Sequence, residues 1–190
     1  MKKIIQDEII ESIAVKQRVL KELIPKIKKF AEMGVNAYNN NGRIIIFGNG
    51  GSAADAQHLV AELVNKLNID RPMLDALALT VNTSVMTAIA NDSNYDNVFS
   101  RQIESLVNEK DIVVGISTSG NSVNILNGLL KAKEKGVKTV GMTGVTGGKM
   151  KDIVDLLINV PSNTTQRIQE AHILIGHIVC GIIENELFGK

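Results

Sequence analysis

Tryptophan is absent from the 190 residues, and aromatic residues of all kinds make up only 3%. They are Tyr38, Tyr95, Phe30, Phe47, Phe99 and Phe188. A platform that stacks nucleic-acid bases needs exposed aromatic faces, so this composition argues against one. An aromatic-lined pocket for a drug-like ligand is disfavoured for the same reason. The ligand of such a chain is held by polar contacts. A charge bias is missing too. Twenty-one Lys and Arg against 20 Asp and Glu leave a formal net charge of +1, with no field to gather DNA, RNA or an anionic membrane.

Cys180 is the only cysteine, so there is no internal disulfide and no CxxC pair for zinc. The start, Met1-Lys2-Lys3-Ile4-Ile5-Gln6-Asp7-Glu8, turns acidic within a few residues, unlike a signal peptide. No apolar run approaches the roughly 18 residues of a membrane-spanning helix. The expectation is a soluble, cytoplasmic protein. What the chain does have is 44% apolar residues, enough to fill the core of one domain, or of one domain with a helical appendage.

Residues 4 to 40 read as helix, with Ile4, Ile5, Ile9, Ile10, Ile13, Val15, Val19, Leu20 and Leu23 at three- and four-residue steps. Pro25 should divide this run into two helices. Asn39-Asn40-Asn41-Gly42 is a stop signal, with Gly42 expected in the left-handed cap. Thereafter short β-branched runs alternate with helical stretches near 53–66, 83–91, 95–108 and 122–135. Strands are expected at 43–48, 76–79, 111–116, 138–142 and 156–160. That alternation predicts an α/β three-layer αβα sandwich on a five-stranded parallel sheet. The N-terminal helices (1–41) precede an α/β core (42–190), all in one domain. The last helix should be capped by Ser162, Asn163 or Thr164 and run almost to the end.

Ligands of open parallel sheets sit at the carboxyl ends of strands. Two such ends carry unusual loops. Gly48-Asn49-Gly50-Gly51-Ser52-Ala53 closes the first strand; its glycines let backbone approach a ligand, and a helix start offers N–H groups to an anion. Ser117-Thr118-Ser119-Gly120-Asn121-Ser122 closes the strand at 111–116 with four hydroxyls, which suit a phosphate monoester. Gly-rich turns of this kind are also common as plain connections. The first loop matches a loose dinucleotide fingerprint at Gly48, Gly50 and Ala53, but the acidic residue that reading needs has only Asp70 to fill it, at the tail of a helical stretch. Neither loop has a Lys after Gly, which excludes a nucleotide P-loop. The pair favours a sugar phosphate. A third turn, Thr143-Gly144-Val145-Thr146-Gly147-Gly148-Lys149, reads as a structural connection, with a part in shaping the rim of the site as the alternative.

His58 and Glu62 are four apart on the helix after the first loop, on one face, where they can share a metal or a substrate or simply bond each other. On the last helix, Arg167-Ile168-Gln169-Glu170, His172 and His177 interrupt an apolar run. A His inside such a run needs a partner or a ligand. His177 is the functional candidate, with a satisfied core His as the alternative; His172 reads as an ordinary polar position. Gln169 and His177 lie eight residues apart, about 12 Å along a straight helix. One ion touches both only if the side chains lean together, or if they come from two copies of the helix.

Taken together, Asn49 through His58, Glu62, the Ser117–Ser122 loop and Arg167-Ile168-Gln169-Glu170 with His172 and His177 resemble the sedoheptulose 7-phosphate isomerase (phosphoheptose isomerase) family, within the SIS sugar-isomerase fold. The likeness runs the length of the chain. It implies a flavodoxin-like SIS domain and an aldose–ketose isomerase acting through an enediol at the entry to bacterial heptose synthesis. It also implies a homotetramer with sites at subunit interfaces, and one zinc per subunit. The residues matching the family's metal ligands are His58, Glu62, Gln169 and His177. Those matching its acid–base pair are Glu62 and His177. Those matching its substrate contacts are Asn49, Gly50, Gly51, Ser52, Glu62, Asn91, Asp92, Ser117, Thr118, Ser119, Ser122 and Gln169. Gln166 departs from the family, where Asp is usual, which bears on fine substrate preference. The presence of both Glu62 and His177 favours an enzyme over a non-catalytic SIS module that binds a partner or senses a sugar phosphate.

Overall fold

Runs of Ile and Val with one side chain up and the next down need apolar cover on both faces, and the helices supply it. The computed structural model describes residues 1–189. Its five strands are β1 (Ile44–Gly48), β2 (Ala76–Ala78), β3 (Ile112–Ile116), β4 (Lys138–Thr143) and β5 (Leu156–Asn159). All are parallel, in the order β2-β1-β3-β4-β5. Alternation divides the core in two. Ile44, Ile46, Ile112, Val114 and Val140 face one layer; Ile45, Phe47 and Val113 face the other. The first layer holds α1 (Lys2–Glu22), α2 (Ile24–Asn39), α3 (Gly51–Val64) and α7 (Thr165–Phe188). The second holds α5 (Val98–Leu106) and α6 (Val123–Glu134), with α4 (Thr83–Asp92) at its margin. This is the expected three-layer sandwich.

The break between α1 and α2 falls at Leu23, with Pro25 in the first turn of α2. There its missing N–H costs nothing, because the first turn has no acceptor to lose. The end of α2 corrects the expected cap. Asn41, not Gly42, takes the left-handed conformation, at φ 60°. Gly42 donates back to Ala37 O at 2.8 Å and Asn41 to Tyr38 O at 3.1 Å, the two bonds of a Schellman motif. Gly42 is required for space, since a side chain there would run into the Lys110 carbonyl.

By length and composition alone α7 is long and apolar enough to cross a membrane. Its spacing of polar residues fits another role, that of a core helix. Arg167, His172 and Glu184 are all buried along it, each with a partner. Arg167 bonds the Glu8 carbonyl and carboxylate, both at 2.8 Å, and pairs with Glu170 at 3.3 Å. It therefore docks α1 onto α7.

His172 corrects another expectation. It is 1% exposed, not an ordinary polar position, and its Nε2–H donates to Thr143 O at 3.2 Å, tying α7 to the end of β4. Burial is the main cause that pushes its pKa down to about 4, against a weaker upward pull from the Thr143 bond. Between pH 6.5 and about 4 the unfolded imidazole takes a proton that the folded one refuses, so stability rises with pH across that window and is lost as pH falls through it. The total is about 3 kcal/mol. Urea melts at a series of pH values should show this slope in the wild type and a shallower one in His172→Gln. Equal slopes would contradict it.

Candidate active site

The strand order reverses between β1 and β3. The helix after β1 covers one face of the sheet and the helix after β3 covers the other: Leu59 and Leu63 of α3 join one core cluster, Ile125 and Leu129 of α6 the other. Diverging connections open a crevice at that point, where ligands of open α/β sheets bind. Both loops singled out in the sequence rim it. The first loop is tied to the helix that follows the second, because Asn49 Nδ2 donates to Asn124 Oδ1 in the first turn of α6 and Asn124 Nδ2 donates back to Asn49 Oδ1, each at 2.9 Å.

In the first loop, Gly50 has φ +55° with ψ −122°, a conformation costly for any residue with a Cβ. Gly51 faces the Gln169 amide so closely that a Cβ would sit 2.6 Å from its Nε2. Ser52 is buried beneath the loop. In the second loop, Ser117 Oγ lies 3.0 Å from Ser122 Oγ and 3.5 Å from Ser119 Oγ. Three of the four expected hydroxyls thus converge at the start of α6. Thr118 supports the loop through its backbone, its carbonyl accepting from Gly144 N at 2.9 Å.

The third turn does more than connect. Lys149 N donates to Asn121 Oδ1 and Met150 N to Gly120 O, both at 3.0 Å. With the second loop and the start of α7 it walls a cavity of about 260 Å³, lined by Thr118, Ser119, Asn121, Thr146 and Asn163 among others.

Helices α3 and α7 lie side by side and run the same way. Gly51 meets Gln169 at one end, His58 meets His177 in the middle, and the Leu67 amide after α3 meets Glu184 at the other end. Gly176 allows the approach, since any side chain there would overlap Leu59. The result is a cluster. His58 Nε2 is 3.2 Å from Glu62 Oε1 and 3.4 Å from His177 Nε2, with the imidazoles edge to face at 75°. One ligand atom from each of the three lies within 4.8 Å of the others. His177 therefore faces this cluster, and the core position belongs to His172.

The remaining predicted residues divide. Gln169 lies by the first loop, not in the cluster. Asn91 and Asp92 stand exposed at the end of α4, with Asn91 Nδ2 donating to Asp92 Oδ1 at 2.8 Å, and no hydrogen bond joins them to the others among the described residues. Gln166 is exposed at the first turn of α7. Asp55 is the residue that motif reading passed over. Its Oδ2 is buried without a hydrogen-bond partner among the described residues, and burial raises its pKa against the pull of His58 and His177. Its signal was in the spacing, three before His58 and seven before Glu62 on one helical face. Cys180, its thiol pushed up to about 12 chiefly by burial and then by Glu62, is no nucleophile.

Two imidazoles and a carboxylate can hold a divalent metal and leave a coordination position open. The same groups can move protons at a carbon between them, while the hydroxyl loop takes an anion. The comparisons with known proteins point the same way. The SIS domain family matches residues 9–144. Over its whole length the chain is 52% identical to the phosphoheptose isomerase of Sulfurimonas denitrificans, covering 98% of that protein. The solved phosphoheptose isomerase of Neisseria gonorrhoeae superposes with a TM-score of 0.92 at 41% identity, covering 97% of this chain and 98% of that one. The one from Francisella tularensis gives 0.94 at 35% identity, covering 96% and 97%.

Proposed function

The chain belongs to the SIS-domain family and, within it, to the phosphoheptose isomerases, and from that membership we propose that it converts sedoheptulose 7-phosphate into D-glycero-D-manno-heptose 7-phosphate. The observation that carries the chemistry is the His58–Glu62–His177 cluster beside two anion-type loops at the switch point. The phosphate is held by Ser117, Thr118, Ser119 and Ser122, and the sugar hydroxyls by Asn49, Gly50, Gly51, Ser52 and Gln169. Asn91 and Asp92 contact substrate from the end of α4, as their match to the family's contacts implies.

The proton transfers follow. Glu62 takes a proton from C1 while the C2 carbonyl oxygen gains one, which forms the enediol. The C1 hydroxyl then loses its proton and Glu62 returns one to C2, leaving the aldose. His177 carries protons between the two oxygens. His58, Glu62 and His177 fit zinc, a common match for this donor set. Bound there, zinc would polarise the carbonyl. A tight ligand has no free lone pair, so the bonds from Glu62 and His177 to the ion must be loose or exchangeable. Gln169 rests about two turns short of His58 in its own chain, and we assign any part it takes in a metal site to a neighbouring copy.

Assembly into a homotetramer with interfacial sites has support on α1. Ile4, Ile5, Ile9, Ile10 and Ile13 are each at least half exposed there, an apolar face that a second copy would cover. We place the reaction in the cytoplasm, a reducing compartment suited to a chain with a single cysteine, as the first step of heptose synthesis for lipopolysaccharide core or nucleotide-activated heptose.

Glu62→Gln should lower kcat by about 10²- to 10⁴-fold, with substrate binding by calorimetry nearly unchanged. Turnover near the wild-type rate would remove Glu62 as the base, and a wild-type protein inert toward this substrate would overturn the assignment. Light scattering should give a mass of four chains, reduced in the double variant Ile9→Glu, Ile13→Glu. A wild-type monomer with full activity would contradict the shared sites.

A further inference from the structure

Beyond the cluster, α3 ends in an ion pair that the chemistry above does not use. A helix leaves its last carbonyls without intrahelical partners. At the end of α3 two of these belong to Glu62 and Leu63. Arg71 returns from the following loop and takes both, with Nη2 donating to Glu62 O at 2.9 Å and Nη1 to Leu63 O at 2.8 Å. Its Nε donates to Glu184 Oε1 on α7 at 3.1 Å. The other bonds to Glu184 come from the loop backbone. Leu67 N donates to Oε1 at 3.0 Å; Asn68 N and Ile69 N donate to Oε2 at 2.7 and 3.0 Å. Both side chains are 1% exposed, and the guanidinium lies over the Phe188 ring, 5.6 Å from its centre. Burial alone would raise the Glu184 carboxyl; the three amides and Arg71 outweigh it and hold it ionised.

The pair thus binds the backbone of Glu62 to α7. Glu184 lies seven residues beyond His177, two turns along the same face. We propose that Arg71 and Glu184 are positioning residues for the isomerisation: the guanidinium fixes the peptide that carries Glu62, and the carboxylate references it to the helix that carries His177. This rests on the reading of Glu62 and His177 as the acid–base pair. A positive group at a helix C-terminus also suits the helix dipole, but that alone would not require a counter-charge on α7. Displacing a catalytic group by about 1 Å can cost up to about 100-fold in rate, so a loosened clamp shows in kcat. The phosphate loops lie at the far end of α3, so KM moves little.

The test compares Arg71→Lys, which keeps the charge but lacks the fork for two carbonyls, with Asp111→Asn as a control. Asp111 is a fully buried carboxylate that bonds Arg43 N and Asn108 N at the opposite end of the sheet. Arg71→Lys should lower kcat about 10- to 100-fold with KM within about threefold, whereas Asp111→Asn should lose stability and keep kcat. Phe188→Leu, a milder change on the same guanidinium, should give a smaller fall in kcat and serves if Arg71→Lys does not fold. Unchanged kcat in the clamp variants, or an equal loss in Asp111→Asn, overturns the proposal. A wild type without isomerase activity overturns the functional reading instead.

Discussion

The close parallel packing of α3 on α7 is the constraint on which the rest of the site depends. Glycine permits it at two positions: Gly176, where only a hydrogen lets Leu59 in, and Gly51, which faces Gln169. Because the two helices run the same way, their residues meet in matched order. Gln169 falls on the first loop, His177 on His58, and Glu184 on the chain just after α3. No residue of the cluster is near another in sequence except His58 and Glu62. The proposed chemistry therefore falls at an interface between two helices, and its precision would be that of their packing.

The sheet supplies the other half of the site. Reversal of strand order between β1 and β3 sends α3 to one face and α6 to the other, and the gap between their starts is lined by backbone, hydroxyls and amides. The Asn49–Asn124 amide pair ties the first loop to the first turn of α6, next to the second loop. A phosphate bound there gains hydrogen bonds and helix-start dipoles without a cationic surface, which fits a chain whose net charge is +1. The near absence of aromatic rings follows as well, since an acyclic, heavily hydroxylated sugar offers no flat face to stack.

Much of this was legible in the sequence for a physical reason. Strands buried on both faces must be runs of β-branched residues, and loops that approach a ligand must be rich in glycine and hydroxyls. Both are local signals. What failed was non-local. The burial of His172 depends on the Thr143 carbonyl 29 positions away, and nothing in its neighbours distinguishes it from His177. The left-handed cap fell on Asn41, while Gly42 is needed for clearance from the Lys110 carbonyl, a contact with the chain just before the neighbouring strand β3. Asp55 was visible only by following the helical face back from Glu62. Arg71 and Glu184, more than a hundred residues apart, had no motif at all.

The role proposed for Glu62 is to carry a proton between two carbons of a bound sugar phosphate. Its side chain is 19% exposed, enough for the abstracted proton to trade with solvent over repeated turnovers. The direct measurement is to bring the protein to equilibrium with sedoheptulose 7-phosphate in deuterated water and locate deuterium in the aldose by NMR. Solvent deuterium on C2 of the product is the predicted result. Aldose formed with no carbon-bound deuterium would mean a hydride shift, and would contradict the account.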